Sequence, residues 1–108
     1  MDILVIALAV VFVVSGLSKA SGNAKGLSGT RDVNVPDWLA RIVGLVETAS
    51  ALGLLIGLKY SWMLWVPLMT LWALMAGAIY FHFRADKPKT SFPAFFLLTL
   101  ISITLAIN

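Results

Sequence analysis

An all-α integral membrane protein, folded as a four-transmembrane-helix bundle, is the fold class that the sequence predicts, and three observations lead to it. Hydrophobic residues make up 60% of the chain and charged residues only 12%, against about 45–50% and about 25% in soluble domains. Four long apolar runs follow one another, separated by short polar stretches. The Lys and Arg residues gather on alternate connections, as the loops of a multi-pass membrane protein do. A soluble chain of 108 residues could not bury that much apolar surface, because small domains leave much of their area in water. In lipid the requirement disappears. The length allows one transmembrane domain over 1–108, with helices near 3–19, 38–58, 62–83 and 92–107.

The first run, 3–17, continues through Ser18 and Lys19. Only Met1 and Asp2 precede it, and neither carries the positive side chain of a signal peptide, so it reads as an uncleaved helix. Residues 20–37 are rich in Gly, Ser, Asn and Asp and read as a loop. Pro36 and Asp37 end it, with Asp37 a good N-cap whose charge suits the positive end of a helix. The second run, 38–58, has about the 20 residues needed to span hydrocarbon, and 59–61 form a short turn. The third run carries Pro67 in its first half, where a kink is tolerable if neighbours satisfy the freed carbonyl. Residues 84–91 form a second basic loop, with Thr90 or Ser91 as the cap of the last helix. Pro93 stands in its first turn, where a missing N–H costs little.

Orientation follows from charge. Lys19, Lys25, Arg31, Arg41, Arg84, Lys87 and Lys89 fall on one side of the bundle and Lys59 alone on the other, so the 1–2 and 3–4 connections should be cytoplasmic and both termini should face away from the cytoplasm. Trp38 and Tyr80 then fall at the inner interface, and Tyr60, Trp62 and Trp65 at the outer one. The net charge of +3 is therefore a topology signal and not a nucleic-acid surface. With no cysteine and one histidine, thiolate metal sites, disulfides and an intrachain bis-His haem are excluded. No cluster of metal ligands or catalytic triad is apparent.

Glu47 is the residue that demands explanation. It lies about ten residues into the second run and so, at 1.5 Å per residue, roughly 15 Å deep, near the midplane. An ionised carboxylate there is expensive, and such groups almost always face a bundle interior or a cavity. Ala40, Gly44, Ser50 and Ala51 share its helix face, leaving room for another helix or a ligand. It can be a hydrogen-bonded packing group or a ligand-anchoring, proton-handling one. Side chains lean toward the N-terminus of their helix, so Glu47 leans toward the cytoplasm while Lys19 and His82, near the ends of the first and third helices, lean into the membrane toward it. Ser15, one turn before Lys19, extends the same stripe. Arg41 leans away and is expected to snorkel to the headgroups. Gly44, Gly53, Gly57 and Gly77 read as helix-packing residues, with Gly53-x-x-x-Gly57 and Ala73-x-x-x-Gly77 spaced for close contact, within the chain or in a homo-oligomer. Trp72 reads as a core or lipid-facing residue.

The run Phe12-Val13-Val14-Ser15-Gly16-Leu17-Ser18-Lys19, Glu47 followed by Leu52-Gly53-Leu54-Leu55, and Met75-Ala76-Gly77-Ala78 leading to His82 resemble the DoxX-like family. That resemblance covers the first three helices and the four-helix layout. It implies a small bacterial inner-membrane protein, an accessory or redox-complex subunit of the kind associated with thiosulfate:quinone oxidoreductase. Lys19, Glu47 and His82 would then form an interior polar cluster near a quinone or another lipid-like molecule. Two other classes stay open: a proton-coupled small transporter, although the 1–2 loop is long for one, and an intramembrane isomerase of a lipophilic substrate with Glu47 as general acid or base. Whether the chain is an enzyme is not decided by these residues.

Overall fold

The computed structural model describes residues 2–22 and 24–107, which form five α-helices and no strand among the described residues. Helix α1 spans Asp2–Ala20, α2 Ala24–Asp32, α3 Asp37–Gly57, α4 Trp65–Arg84 and α5 Phe92–Ile107. Short 3-10 turns at Ser61–Leu64 and Pro88–Ser91 lead into α4 and α5. The long helices are the apolar runs of the sequence. Three of them, counting the turn that leads into α4, have 19, 21 and 23 residues and are long and apolar enough to cross a membrane; α5 is equally apolar but has 16 residues. The protein is an all-α membrane bundle.

Three helix ends on one side use the same device. Gly22, Asn34 and Asp86 adopt left-handed φ values of 76°, 63° and 58°, each just past the end of α1, α2 or α4. After α2, the N–H of Val35 donates to Thr30 O (2.9 Å) and that of Asn34 to Arg31 O (3.1 Å). After α4, Lys87 donates to His82 O (2.9 Å) and Asp86 to Phe83 O (3.0 Å). Both are Schellman closures, which satisfy carbonyls that the helix itself leaves unpaired.

Local expectations are corrected in three places. The 20–37 segment is not all loop, because α2 forms within it. Its glycines disfavour a helix, but Leu27 is buried, and Gly26 lies so close to Ser18 of α1 that a side chain would not fit. Asp37 is the first residue of α3 and makes no cap hydrogen bond; its carboxylate instead takes both Arg31 donors, Nε at 3.0 Å and a terminal nitrogen at 2.8 Å. Pro67 is the third residue of α4, where its N–H would have no intrahelical acceptor, so no kink is needed. Arg41, which is exposed, donates from Nε to Ala20 O at 3.1 Å and so also serves the end of α1. Ser91 is buried at the start of α5, while the Thr90 side chain lies outside the described ones.

Neighbouring helices pack in chain order: α1 on α3, α3 on α4, α4 on α5, and α5 back on α1. Among the described residues the diagonals α1–α4 and α3–α5 do not approach backbone to backbone, and the α2 backbone comes close only to α1 and α3. Two apolar clusters result. The larger joins Val5, Leu8, Ala9 and Phe12 to Ala51, Leu54, Leu68, Leu71, Met75 and Ile101. The smaller joins Leu27, Val33, Val35 and Ala40 to Leu39, Phe81 and Ala85, where α2 and the chain after it meet the ends of α3 and α4. Large apolar side chains such as Val10, Val14, Ile42, Leu45, Val66 and Phe96 point outward, the surface that a bilayer covers. Trp38, Trp62, Trp65 and Tyr80 are also exposed. Trp72 faces outward too, its Nε1–H donating to Ser102 Oγ at 3.1 Å.

Candidate functional site

The site begins with two glycines. A Cβ on Gly44 would stand 2.6 Å from Gly16 O and 2.8 Å from the nitrogen of Ala20, and a Cβ on Gly16 would stand 2.6 Å from Gly44 O. Helices α1 and α3 therefore cross backbone to backbone, as small residues permit in membranes. Thr48 closes the contact, donating from Oγ1 to Gly44 O at 2.8 Å.

Lys19 and Glu47 each follow the crossing glycine of their helix by three residues. Because α1 and α3 run antiparallel and Lys19 lies level with Gly44, its Cβ 2.7 Å from where a Gly44 Cβ would stand, Glu47 is offset from it by three residues, about 4.5 Å along the axis at 1.5 Å per residue. Each side chain leans toward its own N-terminus and so toward the other. Lys19 Nζ donates to Glu47 Oε1 at 2.6 Å. Glu47 is fully buried, whereas the Lys19 side chain retains 19% of its exposure. The second carboxylate oxygen, Oε2, is also buried, and no described group donates to it. Burying an acceptor without a donor costs about 1–3 kcal/mol, and more when it carries charge.

Glu47 and Lys19 border a cavity of about 440 Å³ between the two apolar clusters. Ser15 and Phe12 line it from α1, Val43 and Ala40 from α3, Gly77 and His82 from α4, and Leu97 from α5. Gly26, Gly29 and Thr30 of α2 close one side. The wall is apolar apart from Ser15, Lys19, Thr30, Glu47 and His82. All four residues that the sequence nominates for ligand or proton handling thus border one space, and Lys19 and Glu47 are in direct contact.

The glycines divide into separate roles. Gly44 is part of the α1–α3 crossing. Gly53 faces the Pro67 ring, whose Cβ would lie 3.3 Å from an added Cβ, and Gly57 faces Leu64; both serve the tight return from α3 to α4 within one chain. Gly77 is the correction. Nothing lies within 4 Å of where its Cβ would be, and with Ala73 it borders the cavity rather than a helix. Sequence reasoning overlooked Gly16, although Ser15-Gly16 opposite a glycine of the next long helix was the available signal. It also overlooked α2, which no apolar run announces.

The DoxX-like family model matches residues 3–104, from the first turn of α1 almost to the end of α5. The chain belongs to the DoxX-like family. In this DoxX-like protein the matched region contains the crossing glycines, the Lys19–Glu47 pair, His82 and the whole cavity wall. No curated protein and no solved structure matches the chain.

Proposed function

We propose that this DoxX-like protein is a membrane accessory or redox-complex subunit that binds a quinone-like lipid in the cavity between its helices. The observation that carries the reading is a fully buried carboxylate, paired with Lys19 on one oxygen, on the wall of a largely apolar space. A volume of about 440 Å³ falls in the roughly 300–1,000 Å³ range of small-molecule sites, which combine apolar walls with a few placed polar groups. A ring-sized polar head with an apolar chain has that chemistry. The family resemblance supports the redox setting.

Cavity filling tests it. Gly77→Trp starts its side chain from a Cβ position with nothing within 4 Å, on the cavity wall, so the bundle should melt within about 1 kcal/mol of wild type, as substitutions outside packed contacts do. Mass spectrometry of extracted lipid should find a prenylated or acylated ring compound with wild type and lose it with Gly77→Trp. Equal recovery from both proteins would place the molecule elsewhere.

The same reading sets the protein in a bacterial inner membrane with α2 and the α4–α5 connection cytoplasmic, since Lys25, Arg31, Arg84, Lys87 and Lys89 all lie there. Single cysteines at Ser28 and Lys89, both exposed, should resist impermeant thiol reagents in intact cells and react after permeabilisation. Labelling of both from outside would reverse the topology.

A further inference from the structure

We infer that the cavity selects a ligand whose head donates a hydroxyl hydrogen, and that Glu47 Oε2 is the group that receives it. The inference rests on the cavity reading above and adds the chemical form of the ligand. Quinone and quinol have nearly one shape but opposite polarity: the quinone oxygens only accept, while the quinol oxygens donate.

One unpaired acceptor distinguishes them, since Ser15, Lys19, Thr30 and His82 on the same wall can donate to the oxygens of either form. Glu47 Oε1 is already engaged by Lys19 at 2.6 Å. Oε2, on the same fully buried residue, has no donor among the described residues. An ionised carboxylate only accepts, so the wall carries an unpaired acceptor beside a cation that holds the carboxylate in place; because Oε2 has no accessible surface in the empty cavity, a ligand head reaches it by moving a wall side chain aside. A phenolic O–H from the cavity completes it with a charge-assisted hydrogen bond, the stronger kind. A quinone carbonyl turned toward Oε2 would bring two acceptors together. A site that holds the reduced form more tightly also favours reduction of the bound molecule, because binding and redox equilibria are linked.

The test uses three probes on one ring and chain: decylhydroquinone kept anaerobic, decylbenzoquinone, and the dimethyl ether of the hydroquinone, whose head is larger by two methyl groups. Affinities are measured by calorimetry on the full chain in detergent, corrected for partition into empty micelles. A hydrogen bond to a charged group is worth about a tenfold to hundredfold preference, so the hydroquinone should bind tighter than both others by about that factor. Glu47→Gln supplies the control for shape. Its amide oxygen takes the Lys19 hydrogen bond and its NH₂ occupies the place of Oε2, so the site becomes a donor. The preference should then invert toward the quinone. Equal binding of all three probes to wild type, or an unchanged preference in a folded Glu47→Gln protein, overturns the hydroxyl inference and leaves the cavity reading standing. Binding of none of them overturns both.

Discussion

Lys19→Met is expected to destabilise the bundle by about 3–5 kcal/mol, the cost of leaving one member of a buried ion pair without its partner. The effect should be lopsided. Glu47 is fully buried and has no other described donor, so losing Lys19 strands a carboxylate with two open oxygens. Glu47→Gln strands much less. Lys19 stands in the last turn of α1 with 19% of its side chain exposed, and its long stem lets the ammonium move toward the interface. The amide can also still accept its hydrogen bond. Glu47→Gln should therefore cost about 1 kcal/mol, the usual net worth of one hydrogen bond, and the Lys19→Met/Glu47→Leu pair should recover most of the Lys19→Met loss, since a buried ion pair can be replaced by apolar groups at little cost. Unfolding of all four proteins in mixed micelles measures these losses. A Lys19→Met loss below about 1 kcal/mol would mean that the pair behaves as a surface one.

How much of this was legible in the sequence differs between the fold and the site. The long helices were legible because each is a continuous apolar run between polar breaks, and lipid allows no other spanning structure with those lengths. The burial of Glu47 was legible from its place in the middle of an apolar run, and the residue is fully buried. The facing of Lys19 and Glu47 could be argued from the lean of side chains along antiparallel helices, without knowing where the helices cross. Helix α2 was not legible. Its sequence Ala-Lys-Gly-Leu-Ser-Gly-Thr-Arg-Asp has poor intrinsic propensity, and what makes it helical lies elsewhere in the chain: the α1 backbone against Gly26 and the apolar cluster that takes in Leu27. Asp37 was read as a cap because capping is a local rule; its carboxylate went to Arg31, six residues earlier, which only the turn after α2 brings back. The glycines were the hardest. Small-x-x-x-small spacing says that a face is slim, but not whether a backbone, a proline ring or an empty space will meet it.

That last distinction gives a graded expectation for alanine substitutions. At Gly44 and Gly16 the added Cβ meets backbone oxygen or nitrogen at 2.6–2.8 Å, and backbone cannot turn aside as a side chain can. Helices α1 and α3 must separate. Overpacking of this kind costs about 1–3 kcal/mol, partly offset by the gain of about 1 kcal/mol from alanine in a helix. A net loss of up to about 2 kcal/mol is expected at each. At Gly57 the obstruction is the end of the Leu64 side chain, which can rotate, so the loss should be smaller. At Gly53 the Pro67 ring at 3.3 Å has to give only a few tenths of an ångström, and propensity and crowding should nearly cancel. At Gly77 nothing is met within 4 Å, and alanine should stabilise by up to about 1 kcal/mol. The order Gly44 and Gly16, then Gly57, Gly53 and Gly77, is the testable content, read as shifts in unfolding midpoint. A second readout ties it to the site. Separating α1 from α3 pulls Lys19 away from Glu47, so Gly44→Ala should also weaken hydroquinone binding, whereas Gly53→Ala should leave it unchanged. If Gly44→Ala melts and binds like wild type, the close crossing is not what holds the pair together.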